Sequence, residues 1–329
     1  MKMKVLISYL LACLCSAAAP VPVTLATVAP SGTSLHGALL EMGQKWREAS
    51  KGEVVLNIFP GTQGGEAELV RRMRVGQIHA AMLSVVGLSQ IEPSASALQF
   101  MPMMFRSLDE VSYVRERLRP ELDKRLLAKG YVALFWGDIG WIHYFSSRPA
   151  EHPADFKKLK HFAWAGNESH IALMKSMGYQ PVPLEVDGIL LGLKNGMIDA
   201  VAQPPFFALA GQMYRDASHM LEVNWVPLVG ATVIKKSKWD TLPESSREAL
   251  LAAAKAAGDK VTSTGRDESV KAVAAMKAKG LTVHPVTPQI EAEWRQVAEE
   301  LYSKIRGTQV PADIFDQVRR ILEEYRKKP

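Results

Sequence analysis

The sequence predicts an α/β fold in which mixed sheets are flanked by helices. Between residues 21 and 86, strand patterns rich in β-branched side chains alternate with helical patterns. This β-α-β-α-β order is typical of a largely parallel sheet with helices on both faces. The 329 residues are enough for two domains. No low-complexity linker divides them, so we expect the chain to pass between two lobes more than once, with ordinary strands as hinges.

Side-chain periodicity assigns the first elements. One apolar helix face is indicated by Leu35, Leu39, Met42 and Trp46, and Gly76 is typical of a helix C-terminus. The expected elements are a strand in 21–30, a helix in 34–50, a strand in 51–61, a helix in 66–77 and a strand in 78–86.

The remaining elements are assigned in the same way. Pro120 lies inside one helical pattern, where we expect a kink or a break. Helices are expected in 108–130, 167–178, 188–197, 290–305 and 312–328, with a long alanine-rich helix in 245–280. Strands are expected in 131–140, 142–149, 198–205 and at the start of 227–243.

The first 20 residues have the three-part pattern of a secretory signal peptide. Two lysines precede an apolar run, which is too short to span a bilayer, and small residues follow it. We expect cleavage among Ala17, Ala18 and Ala19, and a lipid anchor at Cys13 is the alternative. Both cysteines lie in this segment, so we expect a mature chain without disulfides or thiol chemistry.

The composition is that of a soluble globular protein, with 47% hydrophobic and 22% charged residues. The net charge of +6 comes from basic residues scattered among acids. Since no basic stretch is interleaved with stacking aromatics, a nucleic-acid partner is not expected.

The sequence lacks the common catalytic motifs. It contains neither a G-x-S-x-G nucleophile elbow nor an H-E-x-x-H zinc motif. The stretch PGTQGGEAE, residues 60–68, lacks the Lys-Ser/Thr of a P-loop and the spacing of a dinucleotide-binding loop. We therefore expect a protein that is not an enzyme and needs no cofactor or metal.

Residues 159–166, LKHFAWAG, place Phe162 and Trp164 on the same face of a predicted strand, because side chains alternate along a strand. This aromatic face is directed either into a core or into a binding cleft.

Four segments in order are similar to the solute receptors of tripartite ATP-independent periplasmic (TRAP) transporters, the DctP-type family. Each segment alone is a weak match, whereas four in the right order are specific. The resemblance runs from about Val23 to about Gly280 and is carried by residues 24–82, 148–162, 177–205 and 233–258.

The resemblance implies a two-lobe periplasmic binding protein fold with a ligand cleft between the lobes and a long helix that spans both. A small ligand would be trapped by lobe closure and delivered to membrane permease subunits by a receptor that is a monomer or a homodimer. The implied division is a signal peptide in 1–19, lobe I in 20–146 plus 232–272, and lobe II in 147–231 plus 273–329.

The sequence departs from the family pattern at the positions that grip a carboxylate. Typical members have an arginine where this chain has Phe162, and a second arginine where counting back from Pro149 gives Trp141. Gln203 replaces a typical asparagine. An aromatic ring does not compensate a buried carboxylate as a guanidinium does. The aromatic face is thus expected in the cleft, and the implied ligand is apolar, aromatic or cationic; we favour an apolar or amphipathic one.

Other residues are candidates for the same pocket. Trp136, Phe206 and Phe207 fit either a core or the cleft, and Trp164 accompanies Phe162. Glu66 either caps its own helix or reaches the ligand. His143, and after it Arg148, would restore anion binding.

Several functions stay open at this level. The first is a receptor that feeds a permease, with either an apolar ligand or an organic acid bound without the usual arginine. The second is a hydrophobic-ligand carrier or sensor on the same scaffold. The third, an extracytoplasmic enzyme, requires an essential acid or histidine pair in the cleft.

Overall fold

The computed structural model describes residues 19–61 and 64–327. The predicted signal peptide, including Cys13, lies outside the described residues except for its last position. Within the described part of the chain, no helix combines the length and the apolar character needed to cross a membrane.

The described strands form one mixed sheet in the order β2-β1-β3-β8-β4-β7-β5-β6, with β9 paired to β8. Parallel pairs lie at both ends and antiparallel pairs at the centre. The strands are β1 (Val21–Thr27), β2 (Val54–Pro60), β3 (Ala80–Ser84), β4 (Tyr131–Ser146), β5 (Lys160–Trp164), β6 (Gln180–Leu184), β7 (Ala200–Gln203), β8 (His219–Lys235) and β9 (Thr282–His284).

Helices cover the sheet, and the predicted helices are present close to their expected bounds. The α-helices are α1 (Ser34–Ala49), α2 (Glu66–Arg74), α3 (Val85–Leu88), α4 (Leu108–Ala128), α5 (Pro153–Phe156), α6 (Glu168–Ser176), α7 (Ile189–Lys194), α8 (Pro205–Ala210), α9 (Lys236–Trp239), α10 (Glu244–Lys277), α11 (Pro288–Ile305) and α12 (Ala312–Arg326). Short 3₁₀ helices lie at Pro93–Leu98, Val186–Gly188 and Met213–Arg215. The helix α4 continues through Pro120 without a break.

Two long strands, β4 and β8, pair antiparallel and run through both halves of the sheet. We define lobe I as the half with β1, β2 and β3, and lobe II as the half with β5, β6 and β7. The sequence predicted two strands, in 131–140 and 142–149, where the structure has the single strand β4. The reason is that the irregularity between Asp138 and Trp141 shifts the register of the β4–β8 pair without ending it.

The helix α10 packs on both lobes, as expected for the predicted lobe-spanning helix. Its first half places Leu250 and Ala254 in a lobe I core with Trp46. Its second half places Ala272 and Met276 in a lobe II core. One rigid helix therefore lies across the crossing strands.

The two C-terminal helices also bridge the lobes. Trp294 of α11 packs in a lobe II core, whereas Ile305 at its end lies in the lobe I core. The apolar face of α12 contributes Phe315 and Val318 to that same lobe I core, together with α4. The expected assignment of residues 273–329 to lobe II therefore does not describe α12, because its apolar stripe is buried against lobe I.

The close approach of α10 to β4 requires glycine. A Cβ on Gly265 would lie 2.5 Å from the Ile139 side chain, far inside van der Waals contact. Gly265 thus lets the helix lie against the strand near the point where β4 passes between the lobes.

We predict that Gly265→Ala lowers the free energy of unfolding by about 1–3 kcal/mol, because overpacking outweighs the gain in helix propensity. The measurement is urea denaturation followed by circular dichroism. Val270→Ala, on the exposed face of α10, is the control and is expected to change stability by less than about 0.5 kcal/mol. An increase in the urea midpoint for Gly265→Ala would contradict the packing argument.

Candidate functional site

A cavity with a volume of about 170 Å³ lies between the lobes. We name it the interlobe cavity. Lobe I lines it with Val86, Gln99, Phe100 and Pro102, and lobe II with residues 161–164 of β5 and with Asn167, His170, Leu173, Met174, Met177, Tyr179 and Ala202. The crossing strands add Ile142, Tyr144, Trp225 and Val226, and the C-terminal region adds Val297, Leu301, Ile305 and Gln309.

The structure places the aromatic face of β5 at the interlobe cavity. Phe162 lines the cavity, is 8% exposed and packs into the adjoining lobe II core. Trp164 also lines it, and the two rings meet edge to face with centroids 5.4 Å apart. The face of β5 that carries Phe162 and Trp164 therefore contributes both to the lobe II core and to the wall of the cavity.

Two contacts join the lobes, and one of them lies at this cavity. The ring of Phe100 in lobe I stacks on His170 of α6, with centroids 5.9 Å apart and planes 19° apart. The carboxylate of Glu185 in lobe II lies against Gly65 at the start of α2, where a Cβ on Gly65 would be 2.5 Å from a carboxylate oxygen. Lobe I and lobe II are thus in direct contact at two points.

The wall of the interlobe cavity contains no Asp, Glu, Lys or Arg side chain among the described residues. Its titratable groups are kept neutral by burial. Desolvation lowers the pKa of His170 and of His161, whose Nε2 donates to the carbonyl of Phe156 over 2.7 Å. Burial raises the pKa of Tyr144 well above its usual range. At neutral pH the cavity therefore presents aromatic, aliphatic and uncharged polar groups.

A smaller cavity of about 80 Å³ lies on the lobe I side of the crossing strands. It is lined by Glu66, Asp138 and Phe207, together with apolar side chains. The carboxylate of Glu66 accepts hydrogen bonds from the Ser84 amide and hydroxyl and from the Gly87 amide, at 2.7–2.8 Å. Burial raises the pKa of Glu66. Both oxygens of Glu66 thus hold the end of β3 and the short helix α3 that follows it, which is the role of a structural carboxylate.

The carboxylate of Asp138, which lines this smaller cavity, is paired with two arginine side chains. Arg115 of α4 donates to one carboxylate oxygen over 2.6 Å, and Arg266 of α10 donates to both oxygens over 2.7 Å. The carboxylate is buried and belongs to the irregular segment of β4. This network fixes α4 and α10 to the passage between the lobes.

The predicted aromatic residues Trp136, Trp141 and Phe206 do not line either cavity. Trp136 lies in the lobe I core, and its indole N–H donates to Asp123 over 2.8 Å. Trp141 packs against the same core, while its neighbour Ile142 lines the interlobe cavity. Counting back from Pro149 gives Trp141, which is one residue away from the cavity-lining Ile142. Since successive side chains of a strand lie on opposite faces, a difference of one residue changes the face. Phe206 packs beside Phe207 on the other lobe I core.

The polar candidates pair with one another in the sheet, away from the cavity walls. His143 and Gln203 are register partners of β4 and β7, and both are buried. The Nδ1–H of His143 donates to the carbonyl of Val223 over 3.0 Å. Arg148 is exposed and donates to the carbonyl of Lys158. Neither His143 nor Arg148 brings a cation to the interlobe cavity.

The helical walls of the interlobe cavity were not predicted from the sequence. His170 and Met174 of α6 line the interlobe cavity, as do Met177 directly after α6 and Leu301 of α11. Each helix was predicted from its periodicity, yet periodicity does not show which partner an apolar face will meet. Among the described residues, no group of His, Cys, Asp and Glu side chains is arranged to hold a metal ion.

The model of the DctP family, described as bacterial extracellular solute-binding protein, family 7, matches residues 25–308 of this chain. The chain belongs to this family. The resemblance read from the four sequence segments is therefore confirmed. Since members of this family are periplasmic solute receptors of TRAP transporters and not enzymes, the prediction of a non-enzymatic receptor is confirmed as well.

Several bacterial solute-binding proteins are similar to this chain in sequence or in structure. The 2,3-diketo-L-gulonate-binding periplasmic protein YiaO of Escherichia coli is 26% identical over 255 residues, which cover 76% of each chain. A TRAP periplasmic solute binding protein from Pseudomonas putida F1, solved with D-glucuronate, has a TM-score of 0.81 at 22% identity and covers 91% of this chain and 96% of its own. One from Ralstonia eutropha H16, solved with (S)-2-acetolactate, reaches 0.85 at 18% identity and covers 92% and 99%. These structures confirm the predicted two-lobe α/β fold.

We predict that His143 makes stability fall with acidification. Burial lowers its pKa to about 4, so between pH 6.5 and 4 the unfolded chain binds a proton that the folded protein excludes. The stability that depends on neutral His143 is complete above pH 6.5 and is lost as the pH falls toward 4. Over this window, His143→Gln is expected to lose about 3 kcal/mol less than the wild type in urea denaturation. Parallel pH curves for the two proteins would contradict the assignment.

Proposed function

We propose that this DctP-family receptor holds a small, predominantly apolar ligand in the interlobe cavity and delivers it to a TRAP-type permease. The observation that carries the proposal is the cavity wall itself. It combines Phe162 and Trp164 with side chains of α6 and α11, and none of its described members is ionised at neutral pH. The export signal expected in residues 1–19 supports a periplasmic location.

The free energy of burial favours an apolar ligand at this site. Burying apolar surface stabilises a complex by about 25 cal/mol per Å², before the cost of association. A carboxylate buried beside Phe162 would lose its hydration without gaining a cationic partner, and that loss amounts to several kcal/mol. Typical members bind carboxylates with an arginine at the position of Phe162. In this chain, Phe162 therefore favours uncharged ligands.

An organic acid is the second candidate ligand. It is favoured by the relatives, because YiaO is named for 2,3-diketo-L-gulonate and the two solved structures hold D-glucuronate and (S)-2-acetolactate. In this chain the acid would have to be held by uncharged groups such as Asn167 and Gln309.

A thermal-shift screen of the purified mature protein tests the two candidates. One panel contains small carboxylates and the other contains uncharged aromatic and acyl compounds. A ligand at a hundred times its dissociation constant stabilises the folded protein by about 2.7 kcal/mol, or roughly 5 °C in a chain of this size. We predict shifts of this size only in the uncharged panel. Shifts confined to carboxylates would replace the first candidate with the second.

We predict that Phe162→Arg reverses this preference. The guanidinium would supply the bidentate partner that the cavity lacks, so carboxylates are expected to gain at least tenfold in affinity and uncharged ligands to lose a similar factor. Isothermal titration calorimetry measures both. Leu191→Arg, which adds the same charge at an exposed position of lobe II, is the control and is expected to leave both affinities unchanged. Equal effects of the two substitutions would show that net charge, and not the cavity, sets the preference.

A further inference from the structure

We infer that the ligand of the interlobe cavity is a single-ring aromatic compound that carries an uncharged carbonyl group and no ionised group. This inference rests on the proposed receptor function and names the chemical class of its ligand.

The volume sets the size of the ligand. An apolar cavity of about 150 Å³ accommodates benzene. The interlobe cavity, at about 170 Å³, therefore has room for one ring and a short substituent. The sugar acids of the relatives are of similar size, so the volume alone does not separate the classes; the chemistry of the walls does.

The helical side of the cavity is mainly apolar. It includes Met174 of α6, Met177 directly after α6 and Leu301 of α11, beside the ring of His170. The Met177 sulfur also accepts from the Lys304 ammonium over 3.0 Å. Thioethers contact aromatic rings favourably and adapt to irregular shapes. Phe162 and Trp164 adjoin this side and offer an aromatic edge and face. A flat, uncharged ring is the group that gains most from such walls.

The sheet side of the cavity supplies hydrogen-bond donors. Tyr144 of β4 and Trp225 of β8 line the cavity with ring centroids 6.1 Å apart. Among the described residues, neither the Tyr144 hydroxyl nor the Trp225 indole N–H has a hydrogen-bond partner, and neither atom is fully buried, so both can be reached by a ligand or by water. The indole N–H can only donate, so the group that satisfies it must be an acceptor.

Gln99 adds a donor whose orientation is determined by the backbone. The Val229 amide donates to the Gln99 side-chain oxygen over 3.2 Å. A backbone N–H cannot accept, so this bond assigns the amide oxygen of Gln99 and leaves the NH₂ group as the donor that this cavity-lining side chain can offer. Gln99 belongs to the lobe I wall, so it adds a third uncharged donor beside Tyr144 and Trp225 of the two crossing strands.

A carbonyl oxygen fits this arrangement and a carboxylate fits it less well. Uncharged donors satisfy the lone pairs of a carbonyl, whose burial brings no net charge into the cavity. A carboxylate would bring a full charge to a wall whose described members include no cation. A hydrocarbon ring without a carbonyl would leave the donors unsatisfied.

The test compares three probes that share the benzene ring: acetophenone, benzoate and ethylbenzene. Isothermal titration calorimetry of the mature wild-type protein is expected to give acetophenone an affinity at least tenfold above each of the others. Tyr144→Phe removes only the hydroxyl and is expected to weaken acetophenone about fivefold while changing ethylbenzene less than twofold. Phe162→Ala reports whether a probe occupies this cavity, and is expected to weaken all three.

The outcomes separate the inference from the proposed function. Benzoate binding as tightly as acetophenone, with both weakened by Phe162→Ala, would overturn the ligand class and leave the receptor site intact. Equal losses of acetophenone and ethylbenzene in Tyr144→Phe would overturn the donor side. If no probe binds, or if Phe162→Ala weakens none of them, both the ligand class and the apolar site are overturned.

Discussion

The burial of one carboxylate constrains the architecture of this receptor. Asp138 lies in the middle of β4, where the strand passes from lobe I toward lobe II, and it is almost without solvent contact. A buried charge of this kind is tolerated only with close, well-oriented partners. Arg115 and Arg266 provide them, and they come from α4 and α10. The need to neutralise Asp138 therefore holds three elements together at one point: β4 where it passes between the lobes, the long helix α10, and α4 of lobe I.

The interlobe cavity follows from the way the chain crosses at this point. Since β4 and β8 run through both lobes, the sheet continues beneath the cleft and supplies a floor with Tyr144 and Trp225. The helices α6 and α11 close the other side with apolar side chains. The crossing strands thus contribute Tyr144 and Trp225, which can donate hydrogen bonds, beside Ile142 and Val226. The helical wall is mainly aliphatic and methionine side chains, with His170 among them.

The sequence was sufficient for the elements and for the family, and less so for the site. The helix α10 and the early β-α-β-α-β order were predictable because their periodicity is local and long. Phe162 was found because a sequence motif fixed its position. Ile142 was not, because counting along β4 from Pro149 does not reveal which face a given residue occupies in a strand with an irregular register. Trp136 illustrates another limit: an indole serves a core and a cleft equally well, and only the hydrogen bond to Asp123 distinguishes them.

The contact between Glu185 and Gly65 has a consequence for how the receptor distinguishes loaded from empty states. The carboxylate rests at the amino end of α2, where the helix dipole attracts negative charge. This attraction does not depend on a ligand, so in an equilibrium between apposed and separated lobes it would contribute to the apposed population of the empty protein. A ligand that touches both lobes can raise this population only by its own differential affinity. The stronger the Glu185 contact, the tighter the apparent binding and the smaller the structural signal that separates a loaded receptor from an empty one.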